Sequence, residues 1–329
     1  MNMKKRSTII GAALVILGVL TGIALGIVLV QSGQQIARLP LLRWPQGGLS
    51  RPVQTTAPTV PALPAGPAAP VGLSFTAADA KKVSLKYGDG CAYRVDTKTL
   101  LLKGLDWNLS SSEPTVLILH THASESYTKL PGQDYDETAE YRTLNTDYNV
   151  VALGDRLAAL LEQAGIRVLH DRDIHDYPSY NSAYTNSRQS VQDYLRQYPS
   201  VQVVLDLHRD AVLNSDGSQY APTVEIKGKK VAQVMLVVGT NASGMYHPRW
   251  KENLAAALKL QAMLEKTAPG ITRPTILRAQ RFNHDLSDGA MIVEIGTAGN
   301  SFQEAMEAVP FLAEALIALM HGTTAGSTS

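Results

Sequence analysis

The stretch VLILHTHASESY, residues 116–127, decides the fold: an apolar run of strand character ends abruptly in His120, His122 and Glu125. A short hydrophobic strand with ionisable groups at its C-terminal end is how open α/β folds present chemistry, because ligands bind in the crevice beyond the strand carboxyl ends. His and Glu are zinc ligands, and a metal draws distant segments together, so matching strand ends are expected elsewhere in the chain. Two occur. VQVVLDLHRD (201–210) closes on His208, and AMIVEIG (290–296) closes on Glu294. Each puts an ionisable group at or just past an apolar run, where burial without a partner costs several kcal/mol. The three strand ends are therefore expected to meet at one edge of one sheet.

Helical periodicity fills the intervals. NVVALGDRLAALLEQ (149–163) places Val150, Leu153, Leu157, Leu160 and Leu161 on one face, and Gly165 ends it before a strand over 166–170. Residues 187–198 and 253–265 read as further helices, the latter stopped by Pro269 and Gly270, and 303–320 supplies a closing helix. A hairpin is expected about Gly228 and a strand over 231–239. Strands alternating with helices make βαβ units, so the predicted fold class is α/β, a mostly parallel sheet flanked by helices over residues 113–322. Residues 73–112 read as a small β-rich lead-in, with strands over 82–87 and 93–102 around the turn Gly88-Asp89-Gly90.

Upstream, Lys4, Lys5 and Arg6 precede an uncharged apolar stretch at residues 9–30, long enough to cross a hydrocarbon core of about 30 Å. It is longer than the apolar region of a cleaved signal peptide, so an uncleaved anchor is expected, with residues 1–8 cytoplasmic and the rest outside. Residues 31–72, rich in Pro, Gly, Ala and Thr, read as a linker, and 323–329 as a polar tail. A chain of 329 residues, 45% hydrophobic, has room for a sizeable core, and a formal net charge of +1 gives no basis for nucleic-acid binding. The single cysteine, Cys91, excludes an intramolecular disulfide framework.

Zinc in hydrolases takes three protein ligands and keeps a position for water, while a further carboxylate handles the proton. The chain offers His120 or His122 with Glu125, then His208, as ligands for Zn²⁺, and Glu294 as the base. One histidine of the triplet is expected to bind metal and the other to support it. Loop residues Arg142, Arg278 and Asn283 are candidate substrate contacts. His170, His175, His247, His284 and His321 read as loop or tail residues. There is no G-x-S-x-G elbow, H-E-x-x-H helix, Walker A loop or G-x-G-x-x-G turn, which favours metal hydrolysis over serine, nucleotide or dinucleotide chemistry.

HTHASESY (120–127), the helix at 149–166, LDLHRDA (205–211) and VEIGTAGN (293–300) together resemble the stage II sporulation protein P family. That family is similar in turn to zinc-dependent N-acetylmuramoyl-L-alanine amidases. The resemblance implies a membrane-anchored enzyme cutting peptidoglycan during engulfment, with amidase and endopeptidase activity. It also implies partners, the stage II sporulation proteins D and M. The amidases carry a ligand Glu near the first helix, but here the segment before Asn149 reads LNTDY, so Glu125 stands in, with Glu140 and Asp147 as outside candidates. The alternatives are an inactive wall-binding module or scaffold, and a zinc peptidase of a carboxypeptidase-like family.

Overall fold

The structure, a computed structural model, describes residues 74–109 and 112–325. The expected anchor and linker lie outside these residues. In chain order the elements are β1 (Leu85–Tyr87), α1 (Thr97–Leu102), β2 (Val116–Leu119), α2 (Val150–Gln163), β3 (Val168–His170), α3 (Ala183–Gln197), β4 (Val203–Asp210), β5 (Thr223–Ile226), β6 (Lys229–Ala232), β7 (Val234–Gly239), α4 (Trp250–Thr267), β8 (Thr275–Arg278), β9 (Gly289–Thr297) and α5 (Phe302–Ala325).

Seven strands form one sheet in the order β1-β8-β7-β9-β4-β2-β3. Every neighbouring pair is parallel except β7 with β9, where Met235 faces Glu294 in antiparallel register. The carboxyl ends of β2, β3, β4 and β9 thus share one edge, and those of β1, β7 and β8 the other. Across the first group Leu119 pairs with Asp206, Asp206 with Ile292, and His208 with Glu294.

The pleat sends alternate residues to opposite faces. Val116, Ile118, Leu205, Leu207, Val293 and Ile295 join the main core with buried residues of α1, α2, α4 and α5. Leu117, Leu119 and Val204 turn the other way, onto Val191 of α3. Asn149 starts α2 by accepting a hydrogen bond from the Val151 amide, leaving Val150, Leu153, Leu157, Leu160 and Leu161 buried. The apolar helix at Phe302–Gly322 has the length and composition to cross a membrane. Here it is a core helix, because Ala305, Val309, Leu312 and Leu316 are buried against the rest of the domain.

Two expectations need correction. The segment expected as a strand over 93–102 contains helix α1: Asp96 caps it through the Lys98 amide, and Leu100 and Leu101 are buried as a helical pair. The lead-in contributes only the three residues of β1 to the main sheet. At the other terminus α5 continues to Ala325, into the expected tail. The expected hairpin forms between β5 and β6, with Lys227 (φ 52°) and Gly228 (φ 76°) both left-handed, as a two-residue turn of this kind requires.

Candidate metal centre

Strand β2 ends at Leu119, and this ending separates the two histidines of the triplet. Were the strand to continue, His120 and His122 would share a face. Instead the chain turns: the Thr121 amide and hydroxyl donate to Asp206 (2.7 and 2.6 Å), and the Ser124 amide and hydroxyl to Asp176 (3.1 and 2.6 Å). Both ring nitrogens of His120 are then occupied. Nδ1 lies 3.1 Å from the Leu207 carbonyl oxygen and Nε2 is 2.8 Å from Nε2 of His170, whose Nδ1 approaches Asp155 at 3.2 Å. Gly154 of α2 makes room for this pair, since a Cβ there would meet His170 Nε2 at 2.5 Å and His120 Nε2 at 2.6 Å.

His122 points elsewhere and meets Glu125 and His208. The three offer nitrogen and oxygen atoms within 4.8 Å of one another, all buried. Glu125 Oε1 is 3.5 Å from His122 Nδ1 and Oε2 is 3.3 Å from His208 Nδ1. Ligands at about 2.1 Å in a tetrahedron stand roughly 3.4 Å apart, so two imidazoles and one carboxylate fit a small divalent cation. His208 Nε2 lies 2.9 Å from Asp206 without hydrogen-bond alignment, a carboxylate placed where metal-binding imidazoles carry the partner that orients their ring. Glu125 is held from both sides: its oxygens take the Arg209 amide at 3.1 Å and the Arg142 guanidinium at 3.3 Å, and its own carbonyl accepts from the first amide of α2.

Charge follows this packing. Burial raises the Glu125 carboxyl, but Arg209 and the bonds from His122 and His208 outweigh it and hold the group well below the ordinary carboxylate range. Burial also raises Asp206, yet His208 and Thr121 bring it down to about 2. Burial and the neighbouring His170 lower His120 to about 3, which keeps that imidazole neutral.

Glu294, on β9, pairs with His208 of β4, on the same face of the sheet as His208, Asp206 and Ile292. Its Oε2 is buried with no protein hydrogen-bond partner. Burial, with repulsion from Asp210 and Glu125 and against attraction from His208, pushes its carboxyl up to about 8. A carboxyl held near neutrality without a fixed partner has the properties of an acid and base in one group.

Of the other expected residues, Arg142 reaches the group through Glu125 and is anchored on Asp176 at 2.8 Å. Asn283 donates to the Tyr184 carbonyl at 2.8 Å and ties the start of α3 to the β8–β9 connection. Arg278 ends β8, level with Gly239, at the opposite edge of the sheet, and the structure does not bring it to the group. Sequence reasoning missed Tyr180, which stacks on His122 (4.5 Å between ring centres, 21° between planes) with the Arg142 guanidinium over its ring. Nothing in the spacing of that loop marks it. His175, His247 and His284, read as loop residues, are buried.

The chain has relatives. The family described as Stage II sporulation protein P matches residues 74–317. Stage II sporulation protein P of Bacillus subtilis (strain 168) is 29% identical over 211 residues, 60% of this chain and 49% of that one, so the chain spans about half the length of this curated relative. Among solved structures, an N-acetylmuramoyl-L-alanine amidase from Clostridium difficile 630 is 13% identical with a TM-score of 0.37, covering 63% of this chain and 94% of that one. The catalytic domain of the CD27L endolysin targeting Clostridia difficile gives 13% and 0.38, covering 63% and 97%. The amidase AmiC2 of Nostoc punctiforme gives 16% and 0.34, covering 62% and 95%.

Proposed function

The chain belongs to the stage II sporulation protein P family, and on that premise we propose that it is a zinc-dependent peptidoglycan hydrolase acting in sporulation, an N-acetylmuramoyl-L-alanine amidase. The observation that carries this reading is the convergence of His122, Glu125 and His208 beside Glu294, whose Oε2 is buried with no hydrogen-bond partner among the described residues. Zinc held by those three residues would supply Lewis acidity toward the carbonyl of the scissile amide. Asp206 would orient the His208 ring, Arg209 keeps Glu125 ionised, and Arg142 and the Arg209 amide hold it in place. Glu294 takes a proton from the attacking water and delivers it to the departing alanine nitrogen. Water adds to the lactyl carbonyl carbon, the carbon–nitrogen bond breaks, and the products are a muramoyl carboxylate and a free stem peptide.

The finer reading includes endopeptidase action, a single-pass anchor at residues 9–30, a linker at 31–72 that holds the enzyme extracytoplasmically, a catalytic domain at 113–322, and stage II sporulation proteins D and M as partners. The test is mass spectrometry of products from purified peptidoglycan. Free stem peptides that vanish with chelator, return with zinc and are absent with Glu294→Gln support the amidase. Unaltered wall under every condition, with zinc bound, overturns it.

A further inference from the structure

A cleft of about 360 Å³ is lined by Gln202, Tyr246, His247, Arg249, His284 and Asp288, among others. Gln202 precedes β4, whereas His208 is near its end. Six residues of strand at about 3.3 Å each put Gln202 roughly 20 Å from His208 along β4, while His284, on another wall of the cleft, stands near enough to Asp206 and His208 to feel their charges. Its walls come from the loops after β7 and β8, at the carboxyl ends of those strands and beside the β7/β9 pair where strand direction reverses. Crevices outside the carboxyl ends of the strands are where open α/β sheets bind ligands.

The chemistry of the walls narrows the ligand. His247 is 1% exposed and neither of its ring nitrogens has a partner among the described residues. His284 is 3% exposed; its Nδ1 accepts from the Gly239 amide at 3.0 Å, so its proton sits on Nε2, which also has no partner. Buried polar atoms left unpaired are costly, and three unmade hydrogen bonds on two residues that line one cleft call for something to make them. Burial lowers His247 to about 4 and His284 to about 3, so both rings are neutral and offer donors and an acceptor without charge. The ionised groups there are already paired: Arg249 with Asp288, and Asp285 with Arg188 at 2.8 Å and Arg281 at 3.1 Å. Two imidazoles do not hold a metal alone, and among the described residues the cluster of three converging ligands is the one at His122. At the mouth stands Tyr246, 78% exposed, an aromatic face with nothing on it.

We infer that this cleft binds an uncharged sugar ring, stacked on Tyr246 with its hydroxyl or acetamido groups bonded to His247 and His284. Taking that ring to be an N-acetylated hexosamine of the wall glycan rests on the function proposed above. The cleft would then hold the glycan while the metal centre works on a stem peptide.

The test uses the full chain in detergent and chitotriose as the probe, by isothermal titration calorimetry. Saturable binding is expected, weakened roughly tenfold or more by Tyr246→Ala, as for truncation of an aromatic anchor. His247→Gln, which is buried, is expected to weaken it likewise where the protein keeps its cooperative melt. Glu294→Gln protein, hydrolytically dead on the reading above, must bind chitotriose as well as wild type, so that failure of hydrolysis and failure of sugar binding are read apart. Absence of saturation at millimolar chitotriose, or binding that Tyr246→Ala leaves unchanged, overturns the assignment.

Discussion

Replacing Glu294 by Gln is expected to make the metal-free protein more stable while abolishing its activity. Burial raises the Glu294 carboxyl from its ordinary 4.5 to about 8. The unfolded chain releases this proton near pH 4.5 and the native state holds it to about pH 8. The native state therefore has its full stability below the lower value and loses it as pH rises through that window, at about 1.4 kcal/mol per pH unit. At pH 7 the loss amounts to about 3 kcal/mol. Gln has the shape of the protonated acid and no such proton, so Glu294→Gln recovers most of it. For a domain of this size that is a rise in melting temperature of about 6–12 °C. The assay is thermal unfolding in excess chelator at pH 4.5 and pH 7, beside product release from wall, where loss of the acid–base group costs about 10²–10⁴-fold. An unchanged melting temperature at pH 7, or the same gain at both pH values, would refute the reasoning.

His122→Ala and Glu125→Gln are each expected to cut retained zinc by at least about 100-fold in affinity, beyond the effect of losing a supporting residue. His120→Ala keeps its metal, because both of its ring nitrogens are engaged by the protein; metal content after dialysis, by plasma mass spectrometry, separates the three. Gly154→Ala drives a methyl group into His120 and His170, and the expected cost of about 1–3 kcal/mol exceeds the roughly 1 kcal/mol that Ala gains over Gly in a helix. Urea denaturation checks this, and a variant more stable than wild type would contradict the packing.

The sequence made the sheet edge legible because apolar runs ending in His or Glu leave little choice. A carboxylate inside MIVEIG must face a site or carry a heavy desolvation cost. Glu125 entered only as a stand-in beside the triplet, with Glu140 and Asp147 as outside candidates, and it is the one that converges with His122 and His208. The choice between His120 and His122 was not legible, since it hinges on whether β2 ends one residue earlier or later, and that is set by Asp206 and Asp176 pulling on Thr121 and Ser124 from distant segments. Alternation over 93–102 misled because a capped six-residue helix carries too few turns to show a period. His247 and His284 looked solvated because a loop histidine shows nothing of its burial until α4 and the β8–β9 connection close over it.

The reversed pair β7/β9 has a further consequence. An all-parallel sheet gathers every functional loop at one edge, where each change is felt by its neighbours. One reversal gives this domain two such edges, and Tyr246, beyond the end of β7, is separated from Glu294, which pairs with Met235 at the start of β7, by more than the range over which substitutions usually couple. Changes at Tyr246 and at Glu294 should therefore combine as independent free energies, which leaves selection free to alter what one edge holds without disturbing the chemistry at the other.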